Sequence, residues 1–136
     1  MSAALVASIV SSSGLIPARF GVPILFPNRE EMMVKISVLY PHKDGSAFNM
    51  NYYLNNHIPM VRQKLGAACK GIAVEQGIAG GAPESQPTYA AMGHLLFDSM
   101  ESFQAAFVPH AATIMADIPN YSAVQPIVQI SEVKLS

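Results

Sequence analysis

The sequence predicts one α+β domain of order β-α-β-β-α-β, and three observations carry that expectation. Short runs alternate apolar and polar residues, two longer stretches repeat apolar residues every three to four positions, and turn-forming residues separate the segments. All six segments lie between Met33 and the C-terminus.

In the first run Val34, Ile36, Val38 and Tyr40 alternate with Lys35, Ser37 and Leu39, and Pro41 with His42-Lys43-Asp44-Gly45 closes the strand. Asn49 is placed to cap a helix, because its side chain can accept from a free N–H of the first turn. Tyr53, His57, Val61 and Leu65 then recur every four residues, and Gly66 stops the helix. Pro59 lacks an N–H and predicts a kink just beyond His57.

Ile72, Val74 and Ile78 mark a second strand from Lys70 to Ala79, followed by a loop through Gly80-Gly81-Ala82-Pro83 to Pro87. A third strand from Thr88 to Phe97 is apolar on both faces, which predicts a central position. Asp98 with Glu101 reads as the cap of a second helix, on which Phe103, Ala106, Phe107, His110, Ala111 and Ile114 follow at helical spacing. A turn from Asp117 to Tyr121 leads to a last strand from Gln125 to Leu135. This order is the split arrangement of ferredoxin-like folds, with two helices on one face of a four-stranded sheet. The bare face needs a cover, and a second copy would supply it.

Composition points the same way. The chain is 51% hydrophobic and 12% charged, against about 25% charged residues in soluble domains. A domain of this size buries only roughly 60–70% of its unfolded surface, so a homodimer or an apolar ligand pocket is expected. A net charge of −1 gives no footprint for nucleic acid. The single cysteine, Cys69, excludes an internal disulfide framework and fits a reducing compartment such as the cytoplasm. It reads as a small buried hydrophobe.

Residues 1–32 are Ser-rich and apolar, with no acidic residue before Glu30 and with Pro17, Pro23 and Pro27 breaking regular structure. The apolar run is too short to span a bilayer, and no Lys or Arg precedes Arg19 as a secretory signal requires. Arg19 and Arg29 fit a transit peptide only weakly, while Asn28-Arg29-Glu30-Glu31-Met32-Met33 is what a purine-rich ribosome-binding tract would encode. The segment is expected to be a disordered or non-native extension, and the domain to span residues 33–136.

Among candidate chemical groups His57 comes first. An imidazole before a proline bend can turn towards the sheet and move a proton near neutral pH, although the same position suits a plain helix-to-loop hydrogen bond. His94 sits in an apolar row with Met92 and Leu96, where a histidine must find a hydrogen-bond partner, and it is expected to point at the helices. His110 follows Pro109 in the second helix. Tyr40, Tyr53 and Tyr89 could contact a substrate and Tyr121 could act on one, each by offering a phenol to a carbonyl or enol, while strand and helix spacing also fits packing. No Gly-x-Gly-x-x-Gly or Gly-Lys-Ser/Thr loop is present, and no His-Glu-x-x-His or paired-Cys pattern, so no cofactor and no metal are expected.

Four segments taken together resemble the EthD family: Met33 to Tyr40, Tyr52-Tyr53-Leu54-Asn55-Asn56-His57-Ile58-Pro59, Gly93-His94-Leu95-Leu96-Phe97-Asp98-Ser99 and Ile118-Pro119-Asn120-Tyr121. The resemblance covers essentially all of Met33 to Leu135. It implies a dimeric α/β barrel in which two sheets pair face to face and leave a pocket in each half. Relatives include a protein associated with ethyl tert-butyl ether degradation, muconolactone-type isomerases, polyketide cyclases and small cofactor-free monooxygenases. Cyclase relatives place a histidine near the bend at Pro109, but Val108-Pro109-His110 lacks the first histidine of their His-Pro-x-His pattern. Tryptophan is absent, which sets the chain apart from haem-degrading relatives that use one.

The expectation is a cofactor-free enzyme of bacterial catabolism or secondary metabolism, isomerising, cyclising or oxygenating an apolar carbonyl or phenolic compound, with His57 moving the proton. A non-catalytic binding protein holding an apolar metabolite for a partner oxygenase is the alternative, and a filled structural dimer a third.

Overall fold

The computed structural model describes residues 33–136, so the expectation for residues 1–32 lies outside the described residues. Strand β1 (Val34–Pro41) leads to a helix α1 built from three contiguous segments, Met50–Tyr52, Tyr53–His57 and Ile58–Leu65. Strands β2 (Gly71–Gln76) and β3 (Tyr89–Phe97) follow, then helices α2 (Met100–Phe107) and α3 (Ala111–Ala116), joined by a 3₁₀ turn at Val108–His110. A further 3₁₀ turn, Ile118–Asn120, precedes β4 (Ile127–Glu132). The sheet is antiparallel with order β2-β3-β1-β4, the ferredoxin-like arrangement, and the doubly apolar β3 is internal as expected.

The Asn49 side chain accepts from Tyr52 N–H at 3.0 Å, and Gly66 ends α1 at φ +65°, a backbone angle that glycine adopts without strain. Pro59 follows a local change in the helix. The turn Tyr53–His57 widens to π-helical geometry, with Ile58 N–H donating to Tyr53 C=O. Widening relieves the clash a proline ring makes with the carbonyl four residues back, so the helix continues through the proline.

Three boundaries differ from the sequence reading. The cap of α2 is Ser99, whose hydroxyl accepts from Ser102 N–H at 3.0 Å, and not Asp98. Asp98 instead lies 3.7 Å from Lys70 on the surface. Strand β2 ends at Gln76, where the backbone at Gly77 closes so tightly on Tyr89 and Pro87 that no Cβ would fit. Strand β4 starts only after Pro126, which has no N–H for the ladder.

Cross-strand register divides the sheet into two faces. Ile36 and Tyr40 of β1 and Ala91, Gly93 and Phe97 of β3 turn towards the helices, where they meet Tyr53, Val61, Leu65, Phe103 and Phe107. Leu39, Met92, Leu96 and Ile127 occupy the opposite face, Ile127 being 52% exposed.

Candidate active site

The widened turn in α1 places Tyr53 and His57 one above the other on the side that meets the sheet, their rings 5.6 Å apart and 13° from parallel. Two long-range ties bring the chain after α3 against them. Asn49 N–H donates to Tyr121 C=O at 2.8 Å, and Phe48 bridges to Ser122. Asp117 thereby reaches His57, its Oδ2 lying 2.9 Å from His57 Nδ1. The other oxygen, Oδ1, accepts from the Tyr52 hydroxyl at 2.8 Å and from Asn120 Nδ2 at 2.9 Å.

These contacts fix the charge states. Burial pushes the His57 imidazole below its ordinary value, opposed by the hydrogen bond and charge of Asp117. Burial pushes Asp117 up, but donors from Asn120, His57 and Tyr52 outweigh it and hold the carboxyl below the usual range. A carboxylate only accepts, so Nδ1 of His57 carries the hydrogen and Nε2 carries a lone pair. Among the described residues Nε2 has no hydrogen-bond partner, and His57 lines a cavity of ≈ 60 Å³ between sheet and helices.

His94 of β3 also borders the cavity, and the rest of the wall is mainly apolar, with Ile36, Val38, Ile72, Leu95 and Val128 from the sheet and Val61, Leu65, Phe103 and Phe107 from the helices. By the same measure one water needs at least roughly 10–15 Å³, so the space suits a compact molecule. Tyr40 and Tyr53 also line it, and Tyr40 Oη lies 2.6 Å from Tyr121 Oη. Burial, first among the causes, pushes all three phenols well above their ordinary range, so they remain neutral donors. Edge-to-face contacts among Tyr40, Phe48, Tyr53 and Tyr121 fix their positions.

Of the residues singled out in the sequence, His57, Tyr40, Tyr53 and Tyr121 come together here. His94 does not point at the helices. Its register partner is Ser37, which lies on the opposite sheet face, and its ring bonds Ser37 Oγ through Nδ1 and Glu75 Oε1 through Nε2, both at 2.9 Å. Alternation along β3 puts the buried Gly93 and Ala91 inward and therefore His94 outward. His110 sits half-buried in the turn between α2 and α3, away from the cavity wall. Tyr89, at the start of β3, makes no ring contact with the cluster.

Asp117, Tyr52 and Asn120 were not assigned roles from the sequence, although all three lie in or beside segments that carried the resemblance. Gly93 is a further omission: a Cβ there would collide with the Tyr53 hydroxyl oxygen, so only glycine lets that hydroxyl rest on the sheet. Among the described residues, no group of three His, Cys, Asp or Glu side chains is placed to hold a metal ion, and no helix is long and apolar enough to cross a membrane.

Fold and site together define a ferredoxin-like α+β domain with an aspartate-held histidine beside an apolar cavity. The EthD domain profile matches residues 45–125, more than half of the 136-residue chain, and the protein belongs to the EthD family. An EthD-like protein from Ralstonia eutropha JMP134 is 42% identical, with 78% of this chain and 96% of that one aligned at a TM-score of 0.75. An ethyl tert-butyl ether (EthD) family protein from Bacillus halodurans C-125 is 22% identical over 75% and 99% of the two chains, with a TM-score of 0.54. A Streptomyces coelicolor monooxygenase in complex with nanaomycin D shares the fold at 7% identity over 80% and 93% of the chains, with a TM-score of 0.51. No curated protein matches the chain.

Proposed function

We propose that the protein is a small-molecule enzyme working by acid–base chemistry in the apolar cavity, with His57 Nε2 as the group that moves the proton. One observation carries the reading: His57 Nδ1 is held by Asp117 at 2.9 Å while the ring lines an apolar space. A neutral imidazole with one nitrogen tied to a carboxylate has its tautomer fixed and a lone pair left on the other, which is what a general base needs. Such a group contributes roughly 10²- to 10⁴-fold, and the cavity must supply the rest by positioning. The chemistry requires no cofactor. The substrate is an apolar carbonyl or phenolic compound, with the phenols of Tyr40 and Tyr53 at the wall.

A second copy covers the open sheet face in this reading, because Leu39, Met92, Leu96 and Ile127 would otherwise leave an apolar patch in water. A binding protein without turnover would use the same cavity, and the His57–Asp117 pair favours the enzyme, since holding an apolar ligand needs no oriented base. Native mass spectrometry of protein from its own host identifies what the cavity retains, and His57→Ala then separates the two. Loss of turnover with ligand retained supports the enzyme, whereas a retained compound that wild-type protein never converts refutes it.

A further inference from the structure

The polar atoms around the cavity narrow the substrate class, and the inference rests on the acid–base reading above. Asp117 holds the hydrogen of His57 on Nδ1, so Nε2 keeps a lone pair, and with the residue only 4% exposed bulk water does not satisfy it. Burial holds the imidazole below its ordinary value, which keeps that lone pair free at neutral pH. A buried acceptor without a donor is costly, and a ligand that brings the donor removes the cost.

The rest of the wall offers a ligand no free hydrogen. Tyr53 donates to Tyr40, and Tyr40 donates to Tyr121, whose oxygen lies 2.6 Å away, so neither phenol that borders the cavity has a hydrogen to spare. His94 spends one nitrogen on Ser37 and the other on Glu75. Strands β1 and β3 are internal, so their backbone N–H groups are taken by the ladder, and Pro126 has none.

A carbonyl or an ether set in this space brings a further acceptor and leaves Nε2 without a hydrogen. A hydroxyl brings the hydrogen. Among hydroxyl compounds a phenol is the stronger donor, and an imidazole can move its proton near neutral pH, whereas an aliphatic alcohol holds its own far more tightly. Its flat ring also suits a wall that contains Tyr53, Phe103 and Phe107. The cavity of ≈ 60 Å³ has room for about four to six waters, the scale of one such ring.

We propose that the site selects compact apolar phenols over carbonyl compounds, the ligand hydroxyl donating to His57 Nε2. The hydrogen in that bond is the one the base is placed to take. An N–H forms at Nε2 as the O–H breaks, the O–H electron pair stays on oxygen, and Asp117 faces the resulting imidazolium. The transfer balances with no oxidant or reductant.

The test uses the full chain with phenol, anisole and cyclohexanone as probes, affinity read by NMR titration and the contact by the ¹⁵N resonance of His57 Nε2. Phenol is expected to bind at least about tenfold tighter than either probe that lacks a hydroxyl. It should also move the Nε2 resonance upfield, as a hydrogen bond to an imidazole lone pair does. In His57→Phe the preference for phenol over anisole should vanish. Anisole or cyclohexanone binding as tightly as phenol overturns the proposal and leaves the cavity reading standing. Phenol bound with the Nε2 resonance unmoved, or a preference that survives His57→Phe, does the same. If none of the three binds, the proposal and the cavity reading fail together. The wild-type series decides by itself, so a variant that misfolds does not blunt the test.

Discussion

Replacing Gly93 by alanine tests how the cluster is built. A Cβ at Gly93 collides with the Tyr53 hydroxyl oxygen, while the next atom of that ring, Cζ, is 3.5 Å away and in ordinary contact. Both residues are buried, so neither gives way freely. Overpacking of this kind costs about 1–3 kcal/mol. Alanine recovers about 0.5–1 kcal/mol because glycine is intrinsically poor in a strand, leaving a net loss centred near about 1 kcal/mol and reaching about 2.5 kcal/mol. At about 4–8 °C per kcal/mol for a domain of this size, the melting temperature should fall by about 5–15 °C. The discriminating variant is the double one. Tyr53→Phe deletes the one atom that clashes, so Gly93→Ala on that background should cost nothing or stabilise, a coupling of at least about 1 kcal/mol. Urea denaturation at fixed protein concentration measures all four proteins. A single Gly93→Ala as stable as wild type, or one that Tyr53→Phe does not rescue, would falsify the placement of the Tyr53 hydroxyl on the sheet.

The pH dependence of stability has a defined sign. Burial holds His57 below its ordinary value of 6.5, so as pH falls the unfolded chain takes the proton first. The stability His57 contributes is complete above 6.5 and lost as pH drops from there through the depressed folded value, whereas Asp117 acts only below its ordinary 3.8. Urea midpoints should therefore fall as pH drops below 6.5, and His57→Gln should flatten that slope; an unchanged slope refutes the assignment. Tyr52→Phe removes one donor from Asp117 Oδ1, which strengthens the carboxylate's hold on the His57 hydrogen and should raise the midpoint of the His57 ring in an NMR titration. A lowered or unmoved midpoint counts against the clamp. Leu39→Asp, on the open sheet face, should convert a dimer to a monomer by light scattering at micromolar concentration, and wild-type protein already monomeric there defeats the proposed pairing.

Local physics was legible without coordinates. Alternation in Val34 to Tyr40, the Asn49 cap and the Gly66 stop depend on interactions within a few residues of one another, and these dictated strand, helix and their order. His57 could be nominated because its four-residue spacing with Tyr53 and Val61 put it on the buried side of α1. The position of Asn49 relative to Gly66 needed no partner elsewhere in the chain. Only the tertiary structure decided what His57 meets. Asp117 is 60 residues away and Tyr121 is 81 residues from the Tyr40 hydroxyl it bonds, separations at which no local pattern constrains a pairing. The same holds for His94, whose ring joins Glu75 and Ser37 from two other strands. Gly93 and Tyr53 show the reason most plainly: a missing side chain on one element makes room for a hydroxyl on another, and that fit exists only once sheet and helix have packed.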